Sequence, residues 1–198
     1  TDQDGVSVTV TDVITVNTPG TFILENNASL VQINEVTNVG SITYNRNTTS
    51  MNNFDYTYWS SPVSGQTLYN LSPNTLSDKY HSFTDPNWVD EPGSTTMKAG
   101  KGYIIRTPKE GIWPNTEVVS FPYTQKVKFI GIPNNGDYTY IGISNNKSYL
   151  LGNPYPSAID ADAFLNENHL ILDGTIYFWT HNTGIAPSGA FYVYNDND

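Results

Sequence analysis

The sequence has no cysteine, little charge and no long apolar run. Without cysteine, none of its 198 residues can form a disulfide or act as a thiolate nucleophile. Lysine and arginine number 9 against 19 acidic residues. The resulting net charge of −10 argues against nucleic-acid partners and anionic lipid surfaces, because both attract basic proteins. No apolar run approaches the ~18 residues of a membrane span, so we predict no membrane insertion.

A charged-then-apolar leader is also absent from the start of the sequence. An export signal is therefore expected to have been removed or to lie upstream. What the sequence has instead is aromatic bulk, with 14 Tyr, 8 Phe and 4 Trp to fill a core. Asparagine, threonine and serine dominate its polar residues, which favours strands and turns over helices. The length allows one large or two small domains.

An internal repeat is the strongest pattern in the sequence. Residues 149–157 (YLLGNPYPS) have an earlier counterpart at 56–64 (YTYWSSPVS). In each stretch an apolar run stops at a proline turn, and an aromatic strand and a further strand follow. This pattern indicates one unit of about fifty residues used twice, over 55–107 and 147–198. A connector and a hairpin over 108–146 are predicted to join the two units.

The repeat predicts an all-β protein, an antiparallel β-sandwich over residues 45–198. The connecting hairpin rests on Asn134-Asn135-Gly136, because Asn-Gly favours the positive φ of tight turns. One short helix is predicted near 157–167, with Ser157 as its cap. All other segments are predicted to be strand or loop.

The N-terminal region, residues 1–44, begins with a long alternating strand. The apolar side chains of this strand share one parity, which places them on one face. They are Val6, Val8, Val10, Ile14 and Val16. Only Asp12 interrupts the face, at a bulge or a break. Because residues 15–22 are echoed by 23–30, two interpretations stay open, an ordinary meander and the short rungs of a solenoid-like cap.

Catalytic motifs are not found, and we predict that the protein is not an enzyme. There is no Gly-x-Ser-x-Gly elbow and no phosphate-binding loop, and the three histidines lack metal-ligand spacing. Asp2 and Asp4, followed by Gly5, resemble the latter half of a calcium loop. The alternative is a frayed polar terminus. Calcium at Asp2 and Asp4 is the one cofactor considered, and no other is predicted.

Two further sets of residues could contact sugars or carry them. Trp88 and Trp113 could stack on sugar rings, although aromatic residues are also the usual filling of a small β core. Four asparagines begin acceptor patterns for N-glycans, and the best placed of them lies in a predicted turn. They are Asn27, Asn47, Asn70 and Asn146, of which Asn47 is the one in the turn.

Several phrases of the sequence resemble, together, a segment of large secreted surface proteins of Bacteroidota. The phrases are FILENNASLVQ (22–32), YTYWSSPVSGQ (56–66), LSPNTL (71–76), MKAGKGYIIR (97–106), YLLGNPYPSAIDADAF (149–164) and YFWTHN (177–182). Proteins of that kind usually end in a type IX secretion sorting domain. The resemblance implies an extracellular or surface-attached protein with a structural or adhesive role, and it carries over no catalytic residue.

The sequence therefore predicts a structural or adhesive protein of the cell surface, such as a subunit of a filament or fibrous adhesin. A valine-lined strand near one end of the sequence is buried only if a sheet edge accepts it, and that edge belongs either to its own subunit or to a neighbour. Strand complementation between copies, repeated head to tail, would build an open polymer. The alternative function is a carbohydrate-binding module, or an accessory domain of a secreted hydrolase, that contacts surface glycans.

Overall fold

The computed structural model describes residues 5–180 and 190–195 and confirms the all-β class. The strands are β1 (Ser7–Val10), β2 (Ile23–Leu24), β3 (Ser29–Gln32), β4 (Ile42–Asn47), β5 (Tyr56–Trp59), β6 (Tyr80–Thr84), β7 (Asn87–Asp90), β8 (Tyr103–Arg106), β9 (Gly111–Ile112), β10 (Val118–Val119), β11 (Lys126–Gly131), β12 (Thr175–Thr180) and β13 (Ala190–Asn195). The helices are α1 (Leu68–Leu71) and α2 (Ala161–Glu167). The chain divides into two compact units, residues 1–158 and 159–198.

The first 47 residues contain two stacked coils rather than one long strand. We call residues 7–24 coil 1 and residues 29–47 coil 2. The coils pair in parallel at three places, with offsets of 22, 24 and 20 residues. The paired positions are Ser7 with Ser29, Thr15 with Val39, and Ile23 with Thr43. Parallel pairing at a nearly constant offset is the geometry of a β-solenoid.

The meander interpretation of this region is wrong, because adjacent strands of a meander run antiparallel. The solenoid-like interpretation agrees with the pairing, although each rung spans 20–24 residues and not eight. Strand β1 ends at Val10, and Asp12 lies in the bend that follows. Asp12 accepts a hydrogen bond from the side chain of Asn34 in coil 2, at 2.8 Å. The interruption of the valine face at Asp12 is therefore a break that turns the chain.

Coil 2 leads directly into the antiparallel part of the first unit. Strand β11 pairs antiparallel with β4 over six residues, so the sheet has the order β11-β4-β2. A second sheet has the order β5-β8-β6-β7. Buried side chains of both sheets belong to one core, and the rings of Trp59 and Phe129 lie 5.9 Å apart. Two-layer sandwich packing stays a prediction.

A smaller core holds the connector of the first unit. Met51, Val119 and Tyr123 are buried together, and Trp113 and Phe121 pack against them. The short antiparallel pair β9–β10 lies in the same part of the chain. The connector is therefore an ordered segment with its own apolar anchor.

The predicted hairpin over 126–143 is wrong. Strand β11 pairs with β4, and residues 137–150 contain no strand. The signal at Asn135-Gly136 fails because the side chain of Asn135 bonds main chain of coil 2. The preceding Asn134 is buried, at 8% exposure, and its side chain also bonds distant main chain. Tertiary hydrogen bonds outweigh the local turn preference at this position.

The helix predicted near 157–167 is shorter at its start than the sequence indicates. It begins at Ala161 and is capped by Asp160, whose carboxylate accepts from the Ala163 amide at 3.0 Å. Ser157 is therefore not the cap. Helix α1, which the sequence analysis missed, is a single turn capped by Thr67. One turn is too short to show a helical apolar period.

The second unit contains helix α2 and a strand pair. Strands β12 and β13 pair antiparallel over six residues, from Thr175 with Asn195 to Thr180 with Ala190. Both are at strand positions that the repeat predicted. The equivalence of 55–107 and 147–198 as one repeated unit stays a prediction.

Candidate functional site

The outer edge of coil 1 carries backbone groups that no strand of the described residues pairs. The amides of Ser29 and Ile33 donate to the carbonyls of Val6 and Val10, at 2.9 and 3.0 Å. Even-numbered residues of β1 therefore bond toward β3. Alternate residues of a parallel strand bond to opposite sides, so the N–H and C=O groups around Thr9 face away from β3. Within residues 5–180 and 190–195, no other strand pairs with β1.

The apolar side chains of this edge are only partly covered. Of the five residues predicted as an assembly strand, only one is fully buried. Ile14 is 8% exposed, Val8, Val10 and Val16 are half-buried, and Val6 is 41% exposed. The half-buried valines pack against the main core on their inner side. The structure thus places these residues together, as the sequence predicted, but bound to their own chain.

The opposite end of the coil stack is covered by the chain itself. Strand β11 closes the β4 side of coil 2. The amide of Leu30 donates to Pro156 O at 2.8 Å, and Asn135 donates from its side chain to the carbonyls of Asn34 and Val36, at 2.8 and 3.0 Å. Edge groups of coil 2 that would otherwise lack partners are therefore bonded.

A buried asparagine inside coil 2 ties the coils to this cover. Asn38 is 4% exposed, and its Oδ1 accepts from the Ile14 amide of coil 1 at 2.9 Å. Its Nδ2 donates to Pro133 O at 3.0 Å and to Gln32 Oε1 at 2.7 Å. Each polar atom of the side chain thus has a partner, as burial requires. No sequence pattern points to Asn38, because a lone asparagine in an Asn-rich chain gives no signal.

The two repeated proline-turn motifs meet next to this cover. Ser60 of the first motif donates to Asn153 O of the second at 2.6 Å. Asn134 donates from one amide group to Ser61 O and Pro154 O, at 3.1 and 2.9 Å. Both motifs are thereby fixed to the segment that closes coil 2. Their role here is structural, and no reactive side chain is placed between them.

A cleft of about 250 Å³ lies between β3 and the segments 134–136 and 155–157. Tyr155 donates to Gly136 O at 2.8 Å across it. Burial raises the pKa of Tyr155, and the nearby acidic residues add to the shift, so the phenol keeps its proton at neutral pH. Glu35 is the one carboxylate among the described residues that line the cleft. The cleft offers hydrogen-bonding surface but no acid–base pair.

The two tryptophans predicted to stack on sugars differ in exposure. Trp88 is 48% exposed, and its ring centroid lies 5.2 Å from that of Phe83 and 6.3 Å from that of Tyr58. Trp113 packs against the small core, and its Nε1 donates to Lys109 O at 2.8 Å. The geometry of a stacking platform therefore fits Trp88 and not Trp113.

An ionic cluster supports the four-stranded sheet. The carboxylate of Glu91 accepts from Ser82 at 2.7 Å, from Thr95 at 3.1 Å and from Lys101 at 3.2 Å. Burial alone would raise the pKa of Glu91, but the hydrogen bonds from Ser82 and Lys101 outweigh it and lower the pKa. The carboxylate therefore stays ionised and ties β6, through Ser82, to Thr95 and Lys101 in the segment before β8.

The remaining predicted sites fall on the surface or outside the described residues. Asp2 and Asp4 lie outside them. In the described part of the chain, no group of three histidine or carboxylate side chains is arranged to hold a metal ion. The four candidate glycan acceptors are all surface residues, and their modification stays a prediction. Asn27 follows β2, Asn47 ends β4, Asn70 lies in α1, and Asn146 lies in a turn. Neither described helix has the length and hydropathy of a membrane span.

Comparison with known proteins places the chain in a family. No curated protein and no solved structure matches it. The model of a family described as a domain of unknown function, DUF8693, matches residues 1–198. Because this match covers the whole sequence, the chain belongs to the DUF8693 family.

Proposed function

We propose that the protein is a non-enzymatic structural or adhesive building block of an extracellular surface, joined to its neighbours by β-strand addition. The observation that carries this proposal is the outer edge of coil 1, which no strand in the described part of the chain pairs. Main-chain groups around Thr9 face outward beside half-buried valines. An edge of this kind is a template for a further strand, which would supply the missing hydrogen bonds and cover the apolar side chains.

The structure changes the part that β1 plays in this proposal. The sequence left open whether the edge that accepts this strand belongs to its own subunit or to a neighbour, and β1 is held by its own coil 2. The edge therefore accepts a strand instead of donating one. A head-to-tail polymer would need a donor segment outside the coil stack, because the far side of coil 2 is covered. The extracellular setting rests on the resemblance of the sequence to secreted surface proteins.

A proline substitution tests strand addition at the edge. Thr9→Pro removes an outward N–H, which an edge strand tolerates, whereas Val10→Pro disturbs main chain that faces β3. We expect purified protein to self-associate through this edge. Sedimentation velocity measures that self-association. We expect Thr9→Pro to stay folded by circular dichroism and to self-associate at least about tenfold more weakly. We expect Val10→Pro to lose folded protein. Unchanged self-association of a folded Thr9→Pro variant would refute the proposal.

Binding of surface glycans is a second candidate function, favoured by the exposure of Trp88. Stacking on a sugar needs an accessible ring held by neighbours, and Phe83 and Tyr58 hold Trp88 in that way. Glycan-array binding should be lost in Trp88→Ala and kept in Phe54→Ala. Phe54 is 67% exposed and provides a matched exposed-aromatic control. Equal loss in both variants, or no binding by the unmodified chain, counts against this function.

A further inference from the structure

One face of the four-stranded sheet β5-β8-β6-β7 is aromatic, although an antiparallel sheet usually presents polar side chains to solvent. Tyr80, Tyr103 and Ile105 point into the main core, and side chains alternate between the two faces of a strand. The residues next to them therefore lie on the other face, which we call the open face. It carries aromatic side chains of which none is fully buried. They are Tyr56, Tyr58, His81, Phe83 and Trp88.

The rings of the open face contact one another across the width of the sheet. Trp88 belongs to one edge strand, β7, and Tyr58 to the other, β5, yet their ring centroids lie 6.3 Å apart. The ring of Phe83 lies 5.2 Å from that of Trp88, and the ring of Tyr56 lies 5.9 Å from that of His81. Because neighbouring strands are ~4.8 Å apart, the sheet spans about 14 Å from edge to edge. An aromatic surface of this width is larger than one sugar ring.

Polar groups stand among these rings. The Nδ1 atom of His81 lies 2.8 Å from the carboxylate of Asp90, whose side chain is 85% exposed. Burial raises the pKa of the Tyr58 phenol, which therefore keeps its proton at neutral pH. A sugar needs both kinds of group, because its C–H face stacks on aromatic rings while its hydroxyls bond carboxylates and phenols. The open face therefore has the chemistry of a glycan site that extends beyond Trp88.

The charged groups of the open face indicate an uncharged ligand. The cations Arg106 and Lys79 already have partners within the chain. Arg106 stacks on the Phe54 ring at 4.3 Å, and Lys79 Nζ lies 2.7 Å from the Asp78 carboxylate. The exposed carboxylate of Asp90 repels anions, and the net charge of −10 adds to that repulsion. An acidic sugar chain is therefore disfavoured.

We propose that the open face binds a neutral glycan chain, with consecutive sugar residues laid across the sheet from Trp88 to Tyr56. The inference rests on glycan binding as the second candidate function, and it specifies the charge and the length of the ligand. It does not depend on strand addition at coil 1. Tyr58 is then the residue that extends the site beyond the first sugar.

A length series of oligosaccharides, measured by calorimetry, tests this proposal. Neutral oligomers of glucose, mannose and N-acetylglucosamine are compared from the single sugar to the hexamer, with oligomers of galacturonic acid as acidic counterparts. We expect a neutral hexamer to bind the unmodified chain at least about tenfold more tightly than its single sugar. Tyr58→Ala should weaken hexamer binding at least about tenfold, whereas Tyr58→Phe keeps the ring and should bind within about threefold. Tyr69→Ala, a control on α1 whose side chain is 55% exposed, should change nothing.

Other outcomes overturn the inference and separate it from its premise. Equal binding of single sugars and hexamers, still abolished by Trp88→Ala, would refute the extended site and leave glycan binding standing. Tighter binding of the acidic oligomers would refute a neutral ligand. No binding by the unmodified chain would refute the inference together with the candidate function, and weaker self-association of a folded Tyr58→Ala variant would show that a second copy covers the face. Circular dichroism reports whether each variant is folded, and the length series itself needs no variant.

Discussion

The two ends of the coil stack start from the same kind of strand and finish differently. At the coil 2 end, every element that could serve as an edge meets another part of the chain, through β11, Asn135 and Pro156. At the coil 1 end, the strands that the structure describes pair with β1 on one side, through β3. The comparison teaches that a parallel rung is not complete by itself. Its stability and its capacity to bind both depend on what covers its second edge.

The largest expected effect is at the covered end, where backbone approaches backbone. A Cβ on Gly131 would lie 2.0 Å from Ser64 O, whereas a Cβ on Gly5 would meet nothing within 4 Å. We expect Gly131→Ala to lower the free energy of unfolding by about 3 kcal/mol or more, because neither backbone segment can move alone. Gly5→Ala should cost about 1 kcal/mol, because its φ of +85° is unfavourable for alanine. Equal losses of unfolding free energy for Gly131→Ala and Gly5→Ala, measured by urea unfolding, would contradict the expected difference between the two ends.

A smaller effect compares one position in successive coils. Leu30 and Val8 are partners in the β1–β3 register, and only Leu30 is fully buried. We expect Leu30→Ala to cost about 3 kcal/mol, from lost burial and the cavity left behind. Val8→Ala should cost about 1 kcal/mol, because its side chain already touches solvent. Both losses are measured by urea unfolding, and equal values for the two variants would contradict the difference in cover between the coils.

The smallest effect concerns one hydrogen-bonding side chain of the cover. Asn135 bonds two carbonyls of the connection within coil 2 and is itself half-exposed. We expect Asn135→Ala to cost about 1 kcal/mol and to speed hydrogen exchange in coil 2. Asn145, an exposed turn residue, provides the control, and Asn145→Ala should change neither quantity. Faster exchange at β1 than at coil 2 in Asn135→Ala would show that the cover does not act locally.

The sequence predicted best where a pattern repeats over several residues. Alternation of Val6, Val8 and Val10 identified β1, whereas Asp12 was compatible with a bulge or a break, and the structure shows a break. The aromatic strands of both predicted units are strands in the structure. A period of two reports which residues share a face, and this information is local. It cannot report the partner strand, so the choice between meander and coil was open until the parallel register was known.

The errors lie where tertiary contacts outweigh local preference. Asn134 and Asn135 stand before Gly136, as in a tight hairpin, yet Asn134 is buried and its side chain bonds both proline-turn motifs. Asp160 caps helix α2, and Ser157 does not. Both residue types are good caps, so the sequence alone does not decide between two candidates three residues apart. Trp113 and Trp88 give the same sequence signal. Only the packing shows that Trp113 is held against the small core.

The sequence by itself determined the β class, the faces of the first strands and the absence of thiol chemistry, because these follow from composition and a period of two. Tertiary structure alone decided that β1 binds its own coil 2, that Asn38 and Asn134 fix distant segments, and that one end of the stack is covered. The physical reason is that edge pairing joins residues far apart in the chain. Whether a strand edge is free is therefore settled by the whole fold.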